Sequence, residues 1–134
     1  MKWEIEHITN WEEIYSSSFQ EKWLIWSETA EEDNVFFHPF LSMAWLDTYR
    51  NIRNLKPLFC IVKSNETTIF LPLVIWKQNW KNSFRKIIIP VGYSDFDYHD
   101  PVISRKLPID ERISYFNSLA ANLKSTEEFD AVEI

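Results

Sequence analysis

Apolar and polar residues alternate at the start of the chain: Trp3, Ile5 and His7 fall on one face, Glu4 and Glu6 on the other, and Ile8 closes the run. Period two over residues 2–8 predicts a short, half-exposed strand. The period then lengthens. Trp11, Ile14, Tyr15, Ser18, Phe19, Trp23 and Trp26 recur at steps of three and four, predicting one amphipathic helix that runs to about residue 28. Thr9-Asn10-Trp11-Glu12 precedes it with the spacing of a capping box, in which a hydroxyl and a carboxylate satisfy each other's helix-end amides. Residues 28–34 are acidic and aperiodic and read as a surface loop.

A second helix is expected at His38-Pro39, because proline at a first helical position is pre-set for the helix. It places Leu41, Ala44, Trp45, Thr48 and Ile52 on one side and ends before Leu55-Lys56-Pro57. From Pro57 onward β-formers dominate. Leu58–Val62 reads as a strand, Ser64–Thr67 as a turn and Thr68–Trp76 as the return strand. Pro72 lies inside that strand and cannot donate to a ladder, so a bulge or an edge position is expected there. A polar connection over residues 77–83 leads to a third strand, Phe84–Val91. Short links between three successive strands predict an antiparallel meander. Beyond a loop that begins at Gly92, a helix starting at Pro108 or Asp110 places Ile109, Ile113, Phe116, Ala120 and Leu123 on one face. Phe129–Ile134 reads as a further strand. The pattern predicts an α+β fold over residues 1–134, a single domain with an antiparallel strand meander and helices packed on the sheet. It is incomplete at its C-terminus, because the chain stops inside a strand, so a truncated gene or a domain cut from a longer protein is expected. The final strand is expected to be unpaired and to seek another chain.

Composition changes this picture in two places. Seven Trp, ten Phe and five Tyr among 134 residues are more aromatic surface than a core of this size needs. There is a single glycine, where average usage would supply roughly nine. Glycine clusters let backbone approach phosphate, so their absence excludes the familiar mononucleotide and dinucleotide phosphate loops. The net charge of −6 argues against nucleic acid as a partner. Four cations between Lys77 and Lys86 fit a solvated hairpin connection. Cys60 is the only cysteine, so no internal disulfide can form, and a reducing, cytoplasmic compartment is expected. The N-terminus lacks the pattern of a signal peptide, and no apolar run reaches the ~20 residues that span a bilayer.

Candidate chemistry concentrates in Gly92–Pro101. If residues 95–100 are extended, Asp95, Asp97 and His99 share a face, with Phe96, Tyr98 and Asp100 opposite. Three readings stay open: turn and helix capping, contact with a substrate, and ligation of a divalent metal. The calcium-loop pattern fails, since counting from Asp95 its glycine and its final acid would be Asp100 and Lys106. No nucleophile elbow is present. Cys60 sits mid-strand as a small hydrophobe. His7 and His38 have no acid or thiol partner that spacing can place.

Three stretches carry a family resemblance. Residues 36–49, Phe36-Phe37-His38-Pro39-Phe40-Leu41-Ser42-Met43-Ala44-Trp45-Leu46-Asp47-Thr48-Tyr49, resemble the aromatic-rich helix start of FemAB-like and CelD (BioF2-like) acetyltransferases of the GCN5-related N-acetyltransferase (GNAT) superfamily. Ile69-Phe70-Leu71-Pro72-Leu73 resembles the family's strand after a hairpin turn. Val91-Gly92 followed by Asp97-Tyr98-His99-Asp100-Pro101-Val102 is similar to its loop ending in Asp-Pro. The expected element order is also that of the opening half of a GNAT fold. The resemblance implies the N-terminal, acceptor-side half of a bacterial acyltransferase, not active alone and acting on a cell-envelope or polysaccharide-related acceptor. Tyr93, Asp95, Asp97, Tyr98 and His99 would face that acceptor, with no catalytic or metal-binding residue in this chain. The acyl donor, acetyl-CoA or another acyl donor, would bind a C-terminal GNAT-like half or another chain. A glycine-poor, acidic junction would repel a pyrophosphate where a helix N-terminus should attract it. A different class of function also fits the composition: a non-enzymatic binding domain that uses surplus aromatics for glycan or protein contact.

Overall fold

The computed structural model describes residues 2–32, 34–80, 83–96, 100–126 and 130–132. Strands β1 (Glu4–Ile8), β2 (Lys56–Ser64), β3 (Thr67–Trp80), β4 (Ser83–Pro90), β5 (Val102–Ile103) and β6 (Ala131–Val132) form one sheet. Its order is β1-β2-β3-β4-β6, with β5 joined to β3 off that path. β1 to β4 are mutually antiparallel, whereas β6 runs parallel to β4 through Ile87↔Ala131 and Ile88↔Val132. The fold is therefore α+β, with a mostly antiparallel open sheet and helices packed on it.

Both faces of the sheet are buried, which explains why β2 reads as an unbroken apolar run. Phe59 and Ile61 point to one core, and Leu58, Cys60 and Val62 to the other. β3 divides in the same way, Phe70 and Val74 against Ile69, Leu71, Leu73 and Ile75. The first core is closed by helices α1 (Trp11–Ile14), α2 (Ser17–Thr29) and α3 (Pro39–Tyr49), with a short 3-10 turn at Val35–Phe37. Trp23 is its centre: the ring lies 5.4 Å from Phe59 and 5.2 Å from Phe70, edge to face, and Nε1 donates to the Phe37 carbonyl at 3.0 Å. Phe19 and Trp26 extend the cluster. The second core is closed by α4 (Ile109–Thr126), whose Tyr115, Leu119 and Leu123 meet the aliphatic side of the sheet.

Several expectations need correction. The single helix over residues 11–28 is two helices. Ser16 takes an extended conformation and caps α2 by accepting from Phe19 N, so a local hydroxyl outcompetes continuation of α1. The cap of α1 is Asn10, which accepts from Glu12 N at 2.7 Å, and not Thr9. In α3 the buried side is Ser42, Trp45 and Leu46, while Ala44, Thr48 and Ile52 are exposed, so the inward face is rotated from the expected one. In α4 the rotation is larger: Ile109, Ile113 and Phe116 are 77%, 57% and 53% exposed. Its apolar arc is wider than one contact needs, and the sheet takes the edge of that arc carrying Tyr115, Leu119 and Leu123. The final strand is not unpaired, because β6 joins β4.

Pro72 occupies the middle of the sheet without a bulge. Its carbonyl accepts from Val91 N at 2.8 Å, so its nitrogen points to the same edge of β3. On that edge β4 pairs with residues 73–80 and β5 with residues 69–70, leaving Pro72 in the gap between them. The missing donor thus falls where the neighbouring strand ends and the chain departs into the Gly92 loop.

Candidate functional site

The loop after β4 is built around one residue. Gly92 has φ +90°, a left-handed conformation, and a Cβ there would sit inside the ring of Phe96. Tyr93 N donates to the Pro90 carbonyl, and the amides of Asp95 and Phe96 both donate to the Gly92 carbonyl at 2.8 and 2.9 Å. The chain is turned, not extended, at Asp95, the first residue of the expected alternation. Asp97, Tyr98 and His99 lie outside the described residues.

The turn brings Tyr93 and Asp95 back against α3 and β3. The Asp95 carboxylate accepts from Trp45 Nε1 at 2.7 Å. Phe96 lies 5.1 Å from Phe36, which precedes α3, and Tyr93 packs edge-on to Trp76 at 6.5 Å. The same patch contains Arg53, whose Cζ lies over Tyr49 at 4.3 Å, Trp76 at 4.7 Å and Trp45 at 5.9 Å. Trp45 and Tyr49 are themselves 5.2 Å apart. Four rings and one guanidinium therefore surround the base of the loop. Sequence reasoning missed Tyr49 and Arg53, although Trp45, Tyr49 and Arg53 recur at steps of four on a helical face, which was the available signal. Trp76 could not have been added without the pairing that carries β3 past the loop.

A second constellation joins three distant segments. His7 and Cys60 are paired across β1 and β2, with Cys60 Sγ 3.5 Å from His7 Nδ1, and His7 Nε2 meets Asn122 Oδ1 of α4. Thiol, imidazole and amide in this order can activate a cysteine for acyl transfer. Here the chemistry points the other way. Cys60 is fully buried and burial pushes its pKa up to about 12, so the thiol stays protonated at neutral pH. The chain of bonds fastens α4 to the sheet.

A cleft of about 270 Å³ lies between the segment after β5 and α4. Arg105, Lys106 and Arg112 line it together with Glu31, Glu32 and Asp100. Arg105 is already engaged, by Glu111 at 3.0 Å and by Thr67 Oγ1 at 2.6 Å. Tyr115 lines the same cleft with its pKa raised, first by burial and then by Asp100, against the opposing pull of Arg112. Among the described residues no three His, Cys, Asp or Glu side chains converge to hold a metal ion. No helix among them is long and apolar enough to cross a membrane. Compared with protein-family models, with curated proteins and with solved structures, the chain matches none.

Proposed function

We propose that this chain is the acceptor-side half of a GNAT/FemAB-like acyltransferase acting on a cell-envelope or polysaccharide-related acceptor. The observation that carries the reading is topological. A strand, three helices, a three-strand antiparallel meander, the short β5 paired to β3, one helix and a strand parallel to β4 follow in that order, with the Gly92 loop directly after β4. In a GNAT-type domain that junction is where an acyl-CoA pyrophosphate would sit. The residues here do not fit one. The first turn of α4 carries Asp110 and Glu111, Asp95 stands at the loop, and Gly92 is committed to a turn closed by Phe96. The acyl donor belongs to another GNAT-like half, on the same polypeptide or a separate one, and Tyr93 and Asp95 contribute to the acceptor side.

The test has two arms. Calorimetry with acetyl-CoA on this chain alone is expected to show no heat of binding, and micromolar binding overturns the assignment. In a polypeptide that carries both halves, Asp97→Ala and Tyr98→Phe are expected to lower acceptor turnover; unchanged kinetics in both would make the loop structural. A second reading, a non-enzymatic binding domain, is favoured by one observation: the half-buried rings of Tyr49, Trp76 and Tyr93 gathered around Arg53. Retained ligand binding without any acyl transfer would select it.

A further inference from the structure

Arg53 carries a donor that the protein leaves unused. Its Nη1 is buried and has no hydrogen-bond partner, and among the described residues no carboxylate lies within ion-pair distance of the guanidinium. On the loop beside α3, the Asp95 carboxylate accepts from Trp45 Nε1. The backbone carbonyls around the end of α3 are taken as well: Leu46 by Arg50 N, Tyr49 by Arg53 N and Arg50 by Leu55 N. Aromatic rings satisfy a cation through its face and offer nothing to the in-plane N–H groups. A guanidinium set against three rings, with one buried N–H donor unfilled, can offer an arm of a fork-to-fork pair.

We propose that the Arg53 guanidinium, set against Trp45, Tyr49 and Trp76, is a binding site for an oxyanion, the carboxylate or phosphate group of a small organic ligand. The planar fork accepts either group in two parallel N–H···O bonds. The rings exclude water from the pair and present faces on which the body of the ligand stacks. The protein's net charge of −6 makes the site dependent on this one oriented cation and not on a general basic field. Arg50 serves as an internal contrast. It lies over Trp11 at 5.1 Å and Tyr15 at 4.9 Å, yet none of its nitrogens is a buried donor left without a partner. The proposal stands apart from acyl transfer and would survive its failure.

The experiment is a titration of the whole chain followed by proton–nitrogen NMR, with sodium phosphate and sodium acetate in separate arms and chloride holding the ionic strength constant. Saturable shifts of the Arg53 Nε–H and of the Trp45 and Trp76 indole signals are expected in at least one arm. The arm that saturates identifies the group. In Arg53→Met the affinity is expected to fall about tenfold or more, as loss of a charge-assisted bidentate pair requires, with Arg53→Lys intermediate. Linear shifts in both arms, matching the chloride control, overturn the proposal, as does a folded Arg53→Met protein with unchanged saturation. Should that variant fail to fold, the wild-type titration decides alone, since a linear response there is already sufficient to reject the site.

Discussion

Toward α2 and α3 the sheet presents Phe59 and Phe70 to Phe19, Trp23 and Trp26; toward α4 it presents Leu58, Cys60, Val62, Leu71 and Leu73 to Tyr115, Leu119 and Leu123. The two faces belong to the same strands and share one backbone, yet they specify their covering helices differently. Most of these rings meet edge to face with strong angular preference, so the aromatic side fixes helix position largely through packing, with hydrogen bonds from Trp23 to the Phe37 carbonyl and from Trp45 to Asp95 added to it. Aliphatic side chains tolerate sliding and rotation, and the second face adds polar pins that packing does not supply. Trp3 Nε1 donates to Ser114 Oγ at 3.1 Å, and His7 reaches Asn122. Those pins select which edge of the broad apolar arc of α4 turns inward. Of the aromatic surplus noted in the composition, Trp3, Phe19, Trp23, Phe37, Trp45, Phe59, Phe70 and Tyr115 are core and Phe40 and Phe116 are exposed, while Tyr49 and Trp76 lie half-buried against Arg53 and Tyr93 packs on Trp76.

The largest expected effect breaks the aromatic side at its centre. Trp23→Ala should cost about 3–5 kcal/mol by urea unfolding, since it opens a cavity and strands the Phe37 carbonyl. An equal loss from Leu119→Ala would show that the two faces do not differ. Next in size is an alkaline effect centred on the aliphatic side. The Cys60 thiol is raised from 9.0 to about 12 in the folded chain, so its stabilising contribution is complete below about pH 9 and is lost as pH rises toward 12. The full span corresponds to about 4 kcal/mol, and unfolding curves of Cys60→Ala should be flatter across this window than those of the wild type. Burial raises Tyr115 in the same direction, so some slope should remain.

Gly92→Ala is expected to cost about 1–3 kcal/mol, through φ +90° and the clash with Phe96. Combining it with Phe96→Ala should relieve only the steric part, visible as non-additivity in a double-mutant cycle. The smallest effect tests the pins. His7→Ala and Asn122→Ala should each cost about 1 kcal/mol and couple to each other, while hydrogen exchange in α4 accelerates. Additive losses would mean that α4 is held by packing, as the other helices are.

Much of the fold was legible because its signals are local. Alternation at Trp3–Ile8, proline at the first position of α3, and the β-formers of β2 to β4 lie within a few residues of the structure they dictate. Less of the candidate site was legible. Tyr93 and Asp95 were singled out as an acidic-aromatic run, but their partners Trp45 and Trp76 lie 50 and 17 residues earlier in the chain, and Arg53 read only as the end of a helix. The break between α1 and α2 was missed because helical periodicity continues across it, while Ser16 decides the matter with one hydrogen bond.

The sequence by itself determined the class and order of most elements, the β character of β2 to β4 and a loop at the only glycine. Each of these follows from side-chain period, β-propensity or backbone sterics, which act over a single turn or strand. Tertiary structure alone decided which helix face turns inward, where Pro72 is harmless, how β6 finds β4, and which rings close around Arg53. Those choices compare burial among residues far apart in the chain, and no local pattern encodes the competition.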